Sequence, residues 1–315
     1  MASAFFRSSA PMAGLSLESG VIRYIELEGG VGNLSVVRRG EVSTETGVIQ
    51  QDMVSDYSAL EQSLNALKAQ VGGHWPRQAA IGIPPRDVLI RVVELPNMST
   101  QDAREAFKWE FDKYFPFSSL EATFDLAPVT LPTTEEGADK ARFIVAATRT
   151  RTIDRIVETA RRAGLAAGPV EPTNLAIYRS AAGPLPPSES GHLLVSIGRE
   201  STQVVMGYRG DGMLYRTFLV GGAGKTPSAD AFTAIVREAL STIAYTRSQY
   251  RSLNIDRIFL SGEFGRTEGL PEQLEQGSGL PVSVLNPWDV WGIPVSGDTP
   301  PGFDAAIGLA LRDVI

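Results

Sequence analysis

The stretch GLSLESGVIRYIEL, Gly14–Leu27, decides how the chain is read. Apolar residues run up to Glu18, Ser19 and Gly20 supply a tight turn, and a second apolar run follows. The segment therefore predicts a β-hairpin. The same plan returns far downstream in LLVSIGRESTQVV, Leu193–Val205. Each hairpin leads into a third run, LSVVRRGEVS after the first and GMLYRTFLVGG after the second, so each copy reads as a three-strand meander. Duplication of one such unit predicts two lobes with a cleft between them.

Bulk properties narrow the class. A chain of 315 residues with 43% hydrophobic and 21% charged residues can bury a sizeable core. A formal net charge of -7 argues against a general nucleic-acid surface, which needs clustered Lys and Arg. Cysteine is absent, which excludes disulfides and thiolate metal sites and fits a reducing compartment. The two histidines, His74 and His192, lack ligand spacing and are expected at the surface or in loops, so no histidine metal site or triad is expected. No run of about 20 apolar residues exists, and the opening MASAFFRSSAPMAG is too weakly apolar for a secretion signal. At most Phe5 and Phe6 touch a membrane weakly, and a cytoplasmic protein is expected.

Between the repeats the pattern changes. SDYSALEQSLNALKAQVG places Tyr57, Leu60, Leu64, Leu67 and Val71 at helical spacing, with Ser55 or Asp56 as cap. Residues 79–169 read as an inserted α+β subdomain: AAIGIPP and VLIRVVELPNM as strands, then a helix over Asp102–Tyr114 behind the Ser99 capping box. TFDLAPVTLP paired with ARFIVAATR and a helix in TRTIDRIVETARRAGL complete it. Pro184–Gly191, PLPPSESG, reads as a linker. Past the second meander come a long helix over Ala229–Ser252, the buried strand DRIFLSGEFG, a short helix, the strand LPVSVLNP and a closing helix over 302–315. The expected division is a first lobe over 12–183 carrying the insert, and a second over 190–315.

The phrases VELPNMSTQDAREAFKWEFDKYFPF, DRIFLSGEFGRTEGLPEQL and AAIGLALR, taken with the repeat, resemble the type IV pilus assembly protein PilM family. They are similar also to its relatives FtsA and the cytoplasmic part of GspL, and the resemblance runs from about Gly14 over nearly the whole chain. It implies an α/β fold of the actin-like, RNase-H-like kind, with phosphate-holding hairpins facing a nucleotide cleft. In nucleotide-binding relatives the first hairpin opens with Asp-x-Gly, the Asp ordering magnesium-bound water and the Gly admitting the phosphates. Here Ser16 takes the Asp position and Glu18 the Gly position. A carboxylate against a polyphosphate is unfavourable by roughly 1 to a few kcal/mol. The second hairpin carries Ser196 for Asp, keeping Gly198, Ser201 and Thr202, and the adenosine turn reads Gly262-Glu263-Phe264-Gly265. AGKTPSA, before the long helix, leaves no room for the family's adenine-side subdomain.

The resemblance thus implies a degenerate, non-hydrolysing scaffold of a type IV pilus or type II secretion-like machine. Its implied partners are the cytoplasmic tail of a PilN-like inner-membrane protein and the assembly ATPase complex, which would keep it peripheral at the inner face of that membrane. No catalytic residue, metal or cofactor is expected, and any ATP–Mg binding would be weak. Were a nucleotide to bind, Ser16, Ser19, Gly198, Ser201, Gly262 and Gly265 would lie near it. The alternative is an actin-like ATPase or nucleotide switch with a serine-altered phosphate site.

Four further features carry two readings each. LVGGAGKT, Leu219–Thr226, resembles a P-loop through Lys225 but has Leu219 where that motif requires Gly. Glu105, Glu110 and Asp112 share a helix with Lys108 and Lys113, as on a solvated face. Phe107, Phe111 and Tyr114 form a core stripe, whereas Trp109, Phe115 and Phe117 either pack under a loop or form a docking patch. Phe264 either stacks on adenine or packs in the core, and Trp288 with Trp291 form either a patch or a plug closing the lobes.

Overall fold

A computed structural model describes residues 12–132, 140–183, 185–222, 227–295 and 297–313. The first meander forms as β1 (Met12–Glu18), β2 (Val21–Gly30) and β3 (Asn33–Ser43). A miniature hairpin, β4 (Ile49–Gln50) with β5 (Met53–Val54), leads into α1 (Tyr57–Gln70), which Asp56 caps by accepting from the Ser58 and Ala59 amides. The next strand, β6 (Ala79–Ile83), is buried at every position. It pairs in parallel with β1 and with β10 (Ala167–Pro172), giving a five-stranded sheet in the order β10-β6-β1-β2-β3. This corrects one expectation: AAIGI belongs to this sheet and not to the inserted unit. A short run without alternation is what a central parallel strand, covered on both faces, requires.

The inserted sheet is therefore smaller. It holds β7 (Leu89–Pro96), β8 (Ala122–Pro128) and β9 (Lys140–Arg149) in the order β7-β9-β8. One face is covered by α2 (Thr100–Glu110), capped by Ser99, and a 3-10 turn over Phe111–Lys113. Phe107, Phe111, Phe115, Phe143 and Val145 fill that small core. Next in the chain, α3 (Thr150–Arg162) packs Ile156 and Ala160 into the core of the first sheet beside α1.

The second meander repeats the first as β11 (Gly191–Ile197), β12 (Thr202–Tyr208) and β13 (Asp211–Phe218). With β14 (Ile255–Ser261) and β15 (Val282–Val284) it forms a second five-stranded sheet, ordered β13-β12-β11-β14-β15. α5 (Ala229–Gln249) and α6 (Leu270–Ser278) cover its outer face through Ile235, Ala239, Ile243, Leu270 and Leu274. No described helix lies between Phe218 and Ala229. Lys225, and with it the P-loop reading, falls outside the described residues.

Two helices join the sheets. α4 (Thr173–Ala182), which sequence periodicity left unassigned, is buried at eight of its ten positions. Such a helix shows no polar face and so no helical alternation to read. It packs against α8 (Asp304–Ala310), the closing helix, at Gly308, where a β-carbon would lie 1.9 Å from the Ala176 carbonyl oxygen. Between β15 and α8, the short α7 (Pro287–Val290) brings Trp288 and Trp291 into a cluster with Ile307 and Phe303. Trp291 Nε1 donates to the Ser180 carbonyl at 2.7 Å, so the tryptophans are a plug. His192 is likewise buried, in β11, its Nε2 3.2 Å from the Tyr178 hydroxyl. The surface expectation fails there because an imidazole stacked on Tyr178 satisfies its polar edge internally.

The inserted sheet touches both halves. Ile90, Ala146 and Ile153 pack against the first core, and Val92, Leu131, Ile144 and the buried Val129 against the second. The Thr130 amide donates to Asp211 Oδ2 at 2.8 Å. No described helix is long and apolar enough to cross a membrane.

Candidate functional site

The two hairpins face each other across the cleft between the sheets. In the first, Ser16 lies opposite Arg23; in the second, Ser196 lies opposite Gln203. Of the six residues expected near a nucleotide, Ser19, Gly198, Ser201 and Gly262 line the cleft. Ser16 and Gly265 do not. Ser16 is wholly buried and its Oγ donates to Glu18 Oε1 at 2.7 Å, while a β-carbon on Gly265 would lie 2.4 Å from the Ser261 carbonyl oxygen. Gly262 has φ +86 and donates its amide to Asp304 Oδ1 at 3.0 Å. Its glycine is required twice over, by the left-handed backbone and by a close approach to Ile197.

Charged side chains fill the space in front of these turns. Arg23 is 2% exposed and pairs with Glu18 at 3.6 Å, with Glu41 at 3.0 Å and, across the cleft, with Glu263. Its guanidinium lies against Gly302, where a β-carbon would come within 2.8 Å of it. From the opposite side Arg199 donates to Glu263 at 2.9 Å, to the Gly20 carbonyl at 3.2 Å and to Ser43 Oγ at 3.2 Å. Lower in the cleft, Asp52 Oδ1 accepts from Ser19 Oγ at 2.8 Å and the Asp52 amide donates back to Ser19 Oγ at 2.9 Å.

Burial dominates the electrostatics. It raises the pKa of Glu18, partly offset by Arg23 and Ser16, and raises those of Asp52 and Asp304 against their hydrogen-bond donors. Burial alone would lower the pKa of Arg23, but Glu18, Glu263 and Glu41 outweigh it and hold the guanidinium more firmly charged. The remaining cavity is about 20 Å³. That is room for about one water molecule. The residues present do not suit magnesium and a polyphosphate: serines stand at both carboxylate positions, and the phosphate space holds Arg23 and Arg199 with their carboxylates.

A second opening is larger. A groove of about 510 Å³ runs between the inserted sheet and the first sheet. Ile144, Ala146 and Leu126 form one wall, and Ile83, Val170 and Leu175 the other. β8 and β10 are edge strands of their sheets, and both line it. At one end Arg179 grips Glu171 at 2.5 and 3.0 Å, and Arg312 reaches the same carboxylate at 3.2 Å.

The sequence profile described as "Type IV pilus assembly protein PilM" matches residues 14–229. The chain belongs to that family. Among solved structures it is similar to one described as the PilM-PilN type IV pilus biogenesis complex, at 22% identity and TM-score 0.80, covering 96% of this chain and 98% of that one. It is similar also to the ethanolamine utilization protein EutJ from Carboxydothermus hydrogenoformans, at 16% identity and TM-score 0.53, covering 95% and 88%. A third is a Bacteroides thetaiotaomicron protein with an actin-like ATPase fold, at 13% identity and TM-score 0.50, covering 91% and 95%. These likenesses show the actin-like fold. No curated protein sequence matches.

Within this PilM-family chain, sequence reading missed the residues that occupy the cleft: Arg23, Asp52, Arg199 and Asp304. Two left a signal. Arg23 interrupts an apolar run in VIRYIEL, and Asp304 is the one charge in GFDAAIGLA. Asp52 left none, because its burial depends on a two-residue turn in which Gln51 and Asp52 both have positive φ, 49 and 56. Phe264 packs with the second core, which assigns it to filling. Phe115 is buried and Phe117 packs on Phe111, whereas Trp109 is 91% exposed beside the Lys108–Glu105 and Lys113–Glu110 pairs.

Proposed function

We propose that this protein is a non-hydrolysing cytoplasmic scaffold of a type IV pilus or related secretion machine. It holds the cytoplasmic tail of a PilN-like inner-membrane protein and so sits peripherally at that membrane, beside the assembly ATPase. The observation that carries this reading is the contrast between the two openings: the phosphate cleft is filled by the chain's own ion pairs, and the groove is open. Two unpaired strand edges flanking an apolar groove suit an extended peptide. Main-chain hydrogen bonds to β8 or β10 supply affinity, and the apolar walls select alternate side chains. The solved structure titled for PilM with PilN supports a partner of that class.

The test is a titration with a synthetic peptide of the cytoplasmic tail of a PilN-like protein from the same genome, with and without millimolar Mg-ATP. Saturable binding that Ala146→Arg abolishes, with no change in melting temperature on adding Mg-ATP, is the expected result. Steady phosphate release would instead restore the ATPase reading. Peptide binding that ignores Ala146→Arg would move the docking site elsewhere.

A further inference from the structure

We propose that the cleft holds one monovalent metal cation, of potassium or sodium size, on the second hairpin's side, between Asp52 and Gln203. The site needs no nucleotide. Buried and half-buried charges around the cleft do not balance: carboxylates of Glu18, Asp52, Glu263 and Asp304 face two guanidiniums, Arg23 and Arg199. Both guanidiniums are taken up by Glu18, Glu41 and Glu263. Arg86, the remaining cation near Asp52, stands exposed at the rim and its hydrogen bonds go to Gln51.

Two oxygens are left over in the same place. Asp52 is 2% exposed, and its Oδ2 has no hydrogen-bond partner. Gln203 is 6% exposed, and its Oε1 has none either. Both side chains line the 20 Å³ cavity, with Ser201 between them in the chain of the second hairpin. A buried acceptor without a donor costs about 1–3 kcal/mol, so two of them around one small space call for an occupant. The backbone points the same way. Gln51 and Asp52 form a two-residue hairpin turn with both φ positive, a conformation that favours Asn-Gly, and the strain holds Asp52 beneath Ser19.

The ligand set fixes the ion class. No three acidic, histidine or cysteine residues converge to hold a metal among the described residues. Zinc needs nitrogen or sulfur ligands, while calcium takes six to eight oxygens and magnesium keeps several waters. One carboxylate with neutral oxygens, in a space about one water wide, suits a singly charged ion. Water there would fill the space but leave the buried charge uncompensated.

Thermal unfolding of the whole protein at pH 7.5 and constant ionic strength, in potassium, sodium or N-methylglucamine chloride, tests this. Screening is then equal and only site binding differs. One alkali salt should raise Tm by about 2–4 °C over N-methylglucamine. Asp52→Asn and Gln203→Met should each lose that increment. If Asp52→Asn does not fold, Gln203→Met still decides, as does direct counting of thallous ion bound per chain by thallium NMR, with one expected. Equal Tm in all three salts overturns the site, as does an increment that survives Gln203→Met. Equal Tm combined with a more stable Asp52→Asn would assign the compensation to a proton, which also overturns it.

Discussion

The two hairpins share one plan and carry opposite electrostatics. Opposite Ser16 stands Arg23, which has three carboxylate partners; opposite Ser196 stands Gln203, whose Oε1 has none. The first hairpin is saturated by charge and reaches across to Glu263, whereas the second keeps an open acceptor. One duplicated backbone therefore supports a lock on one side and a vacancy for a small ligand on the other. What differs is one side chain at matched register, which shows that duplication conserves geometry more strictly than chemistry.

Removing the first hairpin's cation should have the largest effect. Arg23→Ala leaves Glu18 and Glu263 facing each other in a poorly solvated space, and should cost about 3–5 kcal/mol in urea unfolding. A variant as stable as the parent would mean that water, not the guanidinium, compensates those carboxylates.

The second hairpin carries a titratable group that the first lacks: His192 stands where the first hairpin's matching register holds Met12. Burial lowers its pKa from 6.5 to about 4. The unfolded chain then binds this proton at higher pH than the folded one. The stabilisation from a neutral imidazole is complete above pH 6.5 and is lost as pH falls towards 4, by about 3 kcal/mol. Asp87 acts oppositely, because burial pushes its carboxyl up to about 6 and protonation there favours the folded state as pH falls. The difference between parent and His192→Gln over pH 4–7 isolates the histidine. Parallel curves would refute the buried imidazole.

Glu263→Gln should cost about 2 kcal/mol and make stability less sensitive to added salt, since Arg23 and Arg199 both donate to that carboxylate. Ser16→Ala, which removes one hydroxyl from Glu18, should cost about 1 kcal/mol, the smallest of the four effects. If Ser16→Ala proved as damaging as Arg23→Ala, the hydroxyl would be the hairpin's main support.

Much of the fold was legible because the duplicated meanders alternate strongly and end in glycine turns. The inserted aromatic stripe was legible for the same reason, since Phe107 and Phe111 recur at helical spacing. α4 and the place of β6 were not, because segments buried on all sides show no period. Within the site, the serines at the carboxylate positions could be read directly from the pattern. The ion pairs could not, since Arg23 and Glu263 are 240 positions apart in the chain and meet only through the cleft. Phrases shared with a family show where a loop lies, but not which distant charge has moved into it.

The inserted sheet rests on both cores, through Ala146 and Ile90 on one side and Val129 and Ile144 on the other. Tension applied to anything seated in the groove is consequently divided between the two halves. A pull would load β8 and β10 along their length, so that hydrogen bonds yield together in shear and not one by one as in peeling. In mechanical terms the insert is a bracket bolted to two beams, built to bear load without prising the cleft apart.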